Sequence, residues 1–239
     1  MSRKPVVELV PDVYRIPTAP ADLINSYLFR DADGQLTLID AGMRRAPKRV
    51  IAALRWLGHN PSDVTRIVLT HAHPDHAGGL AKLAAQTAAT VVAHERDASY
   101  VRSGRAPARD NTLTAGRVFN RMGSGRFAAA AVGSELVDGQ VLDVAGGVEI
   151  VHTPGHTPGH VALLHRSSGV LITGDSIFNV RGMRWSPKVL CTDFALTMAT
   201  AQRLGELDYS MAAFTHGPEI RSKAREEIRG FLRREGVHR

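Results

Sequence analysis

The chain has 239 residues, 44% hydrophobic and 22% charged, with a formal charge of +7 and a pI near 10.1. That length suffices for one large core, and the composition excludes a disordered or fibrous chain. The single cysteine, Cys191, excludes an intrachain disulfide, and no apolar run approaches the roughly 18–20 residues of a membrane span.

The start, Met1-Ser2-Arg3-Lys4-Pro5-Val6-Val7-Glu8, is basic but lacks an apolar signal-peptide core. With the lone thiol, this suggests a reducing, cytoplasmic location. Cys191 itself reads as a small buried hydrophobe rather than a nucleophile.

Residues 6–10 and 13–17 read as short strands broken at Pro11-Asp12, and residues 24–29 as a third. The turn Asp31-Ala32-Asp33-Gly34 leads into a hairpin partner over 35–39, which ends at Asp40-Ala41-Gly42. A helix follows over 46–57, with Val50, Ile51, Leu54 and Leu57 at helical spacing and Gly58 at its stop.

Arg66-Ile67-Val68-Leu69 reads as a buried strand. It runs into Thr70-His71-Ala72-His73-Pro74-Asp75-His76, four metal-capable side chains within six residues. Pro74 suits a loop or a first helical turn, so the spacing places the helix start at about 77–80. His71 and His73 can converge on one metal while Asp75 and His76 face a second point. Such donors suit zinc, and also iron, manganese or cobalt.

A helix over 80–86 and a strand over 90–93 complete a β-loop-α-β unit, the alternation of a layered α/β fold. His94 at the strand end reads as structural or surface. Residues 103–127 lose periodicity apart from a short helix over 112–121. Between positions 96 and 126 lie seven arginines against two aspartates. This stretch, about 96–131, reads either as a cationic lid or insertion or as a solvated arm.

Strands follow at 135–137, 141–144 and 148–152. The last enters Thr153-Pro154-Gly155-His156-Thr157-Pro158-Gly159-His160, after which 160–165 and 170–173 are strands. Asp175 follows the latter. His152 and His165 read as strand residues without a ligand role. Residues 176–190, with Phe178, Arg181, Arg184 and Trp185, border a pocket. A helix over 196–204 is capped near Asp193. A strand over 211–215 delivers His216-Gly217-Pro218, and residues 221–234 form an amphipathic helix that packs on the sheet.

His-x-His-x-Asp-His after a strand, followed in order by His156, Asp175 and His216, resembles the metallo-β-lactamase superfamily from about Asn25 to His216. The resemblance implies a single αββα sandwich over 1–239 with the metals at one edge between the sheets. It implies a first metal on His71, His73 and His156, a second on Asp75, His76 and His216, and Asp175 bridging them. His160 is then not a ligand. Asp40 matches the first motif, where it holds the histidine loop by hydrogen bonds from outside the ligand set; it can also cap the turn before the helix.

Two divalent ions at roughly 3.5–4 Å can share a hydroxide, because a bound cation lowers the water pKa towards roughly 7. Asp75 orients that nucleophile and passes a proton to the leaving group. The expectation is hydrolysis of an ester, lactone or thioester in a small, anionic molecule, with zinc as the first choice of metal and iron or manganese as alternatives. Phe178, Arg184 and Trp185 are the candidate substrate-lining residues.

True di-zinc β-lactamases typically carry cysteine or serine where Asp175 stands, which argues against antibiotic hydrolysis. The glyoxalase II branch shares the His156 motif but relies partly on a C-terminal helical extension, and only 23 residues follow His216. The lactonase branch has this size. The alternatives are a metal-dependent phosphodiesterase or nuclease, prompted by the arginine stretch, and a non-catalytic metal-stabilised binding protein. The arginine stretch lacks interleaved aromatics for base stacking, which argues against nucleic acid.

Overall fold

The structure is a computed structural model and describes residues 4–123 and 125–236. Met1, Ser2 and Arg3 of the basic start, Ser124 of the glycine-rich stretch and the last three residues lie outside the described residues.

The first sheet takes its strands in chain order: β1 (Val7–Val10), β2 (Val13–Pro17), β3 (Asn25–Arg30), β4 (Leu36–Ile39), β5 (Val64–Val68), β6 (Thr90–His94) and β7 (Ser134–Leu136). The pairs from β1 to β4 are antiparallel, and those from β4 to β7 are parallel. The switch follows from the connections. Short turns join the antiparallel strands, whereas the helices α1 (Pro47–Trp56) and α3 (Leu80–Thr87) cross between parallel ones.

The second sheet contains β8 (Val141–Leu142), β9 (Val148–His152), β10 (Val161–His165), β11 (Val170–Ile172) and β14 (Met211–Ala213), with β14 parallel to β11 at one edge. A separate hairpin, β12 (Ile177–Asn179) with β13 (Met183–Trp185), precedes α6 (Phe194–Glu206) and α7 (Ala224–Glu235).

Period-two alternation divides the side chains into three apolar layers. In β3, Leu28 faces α1 and α3, whereas Tyr27 and Phe29 face the second sheet. In β10, Val161 and Leu163 turn toward the first sheet, and Ala162 and Leu164 toward α6 and α7. Ile228, Phe231 and Leu232 of α7 are buried on that outer layer. The molecule is therefore the expected αββα sandwich. No helix among the described residues is long and apolar enough to cross a membrane.

Three helices differ from the sequence reading. A helical turn, α2 (Pro74–Ala77), begins inside the histidine motif rather than after it. Proline fits because the first helical residue needs no amide proton, and the Ala77 N–H bonds the His73 carbonyl at 2.7 Å. Residues 95–103, in part assigned to the lid, form a regular helix, α4 (Glu95–Ser103). His94 caps its start by accepting the Arg96 N–H, and Gly104 closes it with φ 66°. The short lid helix, α5 (Thr114–Arg121), starts two residues later than its spacing suggests.

Candidate metal centre

The histidine motif spans the carboxyl ends of β4 and β5. Asp40, just past β4, is held at φ 61° and is fully buried. Its carboxylate accepts the Thr70 N–H at 2.8 Å and the Thr70 hydroxyl at 2.7 Å, and lies 2.8 Å from His76 Nδ1. Thr70 Oγ1 in turn lies 3.0 Å from His71 Nδ1. With its own proton on Asp40, that oxygen accepts from His71. One carboxylate thus sets the tautomers of two imidazoles and turns both Nε2 atoms toward the sheet edge.

The second sheet supplies the other half. The loop after β9 presents His156, and Gly155 lets it pass α6, since a Cβ there would fall 2.2 Å from the Thr197 nitrogen. His216, after β14, has its Nδ1 2.6 Å from the Leu23 carbonyl and is covered by the Phe178 ring at 4.1 Å between centroids. Asp175 follows β11. Its N–H bonds His160 Nε2 at 2.7 Å, and His160 Nδ1 meets the Thr153 carbonyl at 3.0 Å. Both His160 nitrogens are therefore engaged away from the cluster. Burial is the main reason its pKa falls to about 3.

The seven candidate ligands converge as two groups. His71, His73 and His156 form one, and Asp75, His76, Asp175 and His216 the other, with the donor atoms of each within 4.8 Å of one another. Asp175 stands between them. Its Oδ2 is 3.3 Å from His156 Nε2 and 3.3 Å from His216 Nε2, and its Oδ1 is 3.3 Å from His76 Nε2. Burial opposes its charge, but His216, His76 and His71 outweigh burial and hold the carboxyl well below its usual range. Asp75 has a side chain 32% exposed, against 11% or less for Asp175, His71, His76, His156 and His216.

These residues fit divalent cations. His71 Nε2 is buried with no hydrogen-bond partner among the described residues, a situation that costs about 1–3 kcal/mol unless something else takes the lone pair. Ring nitrogens also face one another, His73 Nδ1 to His156 Nε2 at 2.9 Å and His76 Nε2 to His216 Nε2 at 3.3 Å. Imidazole nitrogens and carboxylate oxygens grouped this way are the donor set of zinc, iron and manganese sites.

Several supporting residues escaped the sequence reading. Asp97, in the first turn of α4, accepts the Ala72 N–H at 2.9 Å, the Thr157 hydroxyl at 2.7 Å and the Gly159 N–H at 2.7 Å, tying the two ligand loops together. Cys191 is buried as expected, but its Sγ lies 3.5 Å from His156 Nδ1 and 3.3 Å from Ser186 Oγ. A buried group of Arg15, Asp22, Asn25 and Glu219 braces the His216 loop. Arg15 bonds Asp22 at 2.9 Å and Glu219 at 2.8 Å, and the Asn25 amide donates to the Phe214 and Gly217 carbonyls.

Of the candidate substrate-lining residues, Phe178 meets the centre through His216. Arg184 lies exposed on β13, and Trp185 lies apart, its ring 4.9 Å from Phe231 in the outer layer. His94 and His152 stack at 4.0 Å, and His165 bonds the Ala145 carbonyl. The arginine-rich stretch reaches the centre's flank. Asp110 donates its N–H to the Cys191 carbonyl, and Thr192 its hydroxyl to the Ala108 carbonyl. Between those ties Arg109 packs over Phe119 at 4.8 Å.

The family model of the metallo-beta-lactamase superfamily matches residues 19–216. A hydroxyacylglutathione hydrolase of Cereibacter sphaeroides is 32% identical over 64% of this chain and 47% of its own. An N-acyl homoserine lactonase of a Bacillus species is 28% identical over 66% and 57%. The crystal structure of a metallo-beta-lactamase family protein of Thermus thermophilus superposes with a TM-score of 0.73 at 26% identity. That match covers 95% of this chain and 80% of the other. Fold, site geometry and relatives agree, and the chain belongs to the metallo-beta-lactamase superfamily of metal-dependent hydrolases.

Proposed function

We propose that the chain is a dinuclear hydrolase acting on an ester, lactone or thioester bond of a small, anionic molecule, with zinc as its metal. The observation that carries the reading is Asp175, whose two oxygens face both groups of ligand candidates at 3.3 Å. His71, His73 and His156 would hold one ion, Asp75, His76 and His216 the other, and Asp175 would be shared. Two such ions would acidify water toward a pKa of roughly 7 and polarise the scissile carbonyl.

The protein's own groups do the rest. Asp75 is the carboxylate open to the entrance, with Oδ2 at 3.4 Å from His216 Nε2 and 3.6 Å from His76 Nε2. There it orients water and returns a proton to the leaving group. Arg109, whose charge couples to that of Asp75, would favour an anionic substrate.

A hydroxyacylglutathione hydrolase and a lactonase among the relatives support acyl-group chemistry. The test is a panel of esters, lactones, thioesters and phosphodiesters on protein of defined metal content. The expected result is acyl hydrolysis abolished by chelation and restored by zinc or manganese. Metal-loaded protein inert toward all three acyl bonds would overturn the reading, and turnover of phosphodiesters alone would replace it.

A further inference from the structure

Positive charge gathers at more than one place along the chain. Three of the lid arginines have local partners: Arg102 pairs with Glu135, Arg109 covers Phe119, and Arg117 bonds the Asn111 carbonyl and Thr114. Another basic run is different. No acidic residue occurs between Asp40 and Asp63, while Arg44, Arg45, Lys48, Arg49 and Arg55 all do. The buried stripe of α1, Pro47, Val50, Ala53 and Leu54, turns Lys48, Arg49 and Arg55 outward, and Arg44 and Arg45 are exposed just before the helix.

Across from them stands Lys82 on α3. Two adjoining depressions, of about 310 and 250 Å³, lie between the helices and share Pro47, Lys48 and Lys82. Together they are lined by Arg44, Arg45, Lys48, Arg55 and Lys82, and by no carboxylate. Among the described residues none of these five cations enters an ion pair or a side-chain hydrogen bond.

We propose that the furrow between α1 and α3 is a binding site for a ligand carrying two or more phosphate groups. At an ionic strength of about 0.1 M charges act on one another over about 10 Å. Five like charges around so small a space therefore repel, and a multivalent anion relieves that repulsion at every member. Arginine adds directional N–H pairs that match phosphate oxygens, and lysine adds point charge. The site is separate from the metal centre but abuts it. A Cβ on Gly79 would fall 2.9 Å from Pro47 Cδ, and one on Gly78 would fall 2.8 Å from the Arg44 nitrogen. The furrow floor thus packs on the turn that carries Asp75 and His76.

Phosphate of this kind comes from a soluble metabolite or from a lipid headgroup, and the experiment separates the two. Fructose 1,6-bisphosphate is titrated calorimetrically into the metal-loaded full chain, and flotation is measured with vesicles containing phosphatidylinositol 4,5-bisphosphate and with pure phosphatidylcholine vesicles. Binding weakens with salt, and Lys48→Glu/Lys82→Glu lowers affinity by about tenfold or more. Arg233→Glu/Arg234→Glu, the same charge change on exposed residues of α7, lowers it by less than about twofold. Lys48→Gln/Lys82→Gln gives the same direction if the reversal unfolds the protein.

Bisphosphate binding alone assigns a soluble ligand. Retention on anionic vesicles alone, lost in the Lys48/Lys82 variant, assigns a headgroup. Binding to neither probe, or equal loss in both double variants, overturns the proposal.

Discussion

His76 Nδ1 and Asp40 Oδ2 meet at 2.8 Å, inside the protein and on the side of the imidazole away from the ligand cluster. The contact fixes the ring and makes Nε2 the electron-pair donor. Asp40→Ala removes it together with both bonds to Thr70. Metal affinity at the group containing His76 should fall by about 10–100-fold, read by chelator competition. An unchanged two-step titration would refute this role.

Asp97 joins loops that are far apart in sequence. Asp97→Ala orphans the Ala72 and Gly159 amides and the Thr157 hydroxyl in a buried space. The expected loss is on the order of 3 kcal/mol of folding stability, measured by urea unfolding of metal-free protein, with bound metal lost in parallel. A variant with wild-type stability would show that the clasp is dispensable.

The thiol of Cys191 is the contact of His156 on the side away from Asp175. Cys191→Ala should weaken metal binding at the three-histidine group by roughly tenfold, and Cys191→Ser, which keeps a hydrogen-bonding atom, should recover much of it. Equal affinity in all three proteins would reduce Cys191 to a space-filling residue.

Burial first, then His152 and Arg96, lowers the His94 pKa to about 4. An unfolded histidine titrates near roughly 6.5. Between those values the unfolded chain binds more protons, so the contribution is complete above roughly 6.5 and is lost as pH falls toward 4. His94→Asn retains an acceptor for the helix cap. Its melting temperature should therefore vary less with pH than that of the wild type between about pH 7.5 and 4.5. An identical pH slope would exclude His94 as the source.

What the sequence reveals and what it hides divides along range. His71, His73, Asp75 and His76 stand out because they are neighbours in the chain, and the strands because alternation is local. Asp97 gives no such signal: it is one acid in the first turn of a polar helix, and its partners lie 25 to 62 positions away. Arg15 and Glu219 pair across 204 positions. Trp185 looked like a pocket residue from its neighbours, yet the β12–β13 hairpin carries it onto Phe231. The acid-free run from Arg44 to Arg55 is legible along the chain, but that Lys82 of α3 lies opposite it is visible only in space.

The His216 loop leans on the beginning of the molecule: on the Leu23 carbonyl, on the Asn25 amide, on the Tyr27 hydroxyl through the Phe214 carbonyl, and on Arg15 through Glu219. A ribosome must therefore deliver nearly the whole polypeptide before those early strands receive the segment that completes them. Until then a nascent chain carries the first histidine motif without its last donor. Completion of the candidate metal cluster is thus a late event in biogenesis, reached only when the His216 loop has met the early strands.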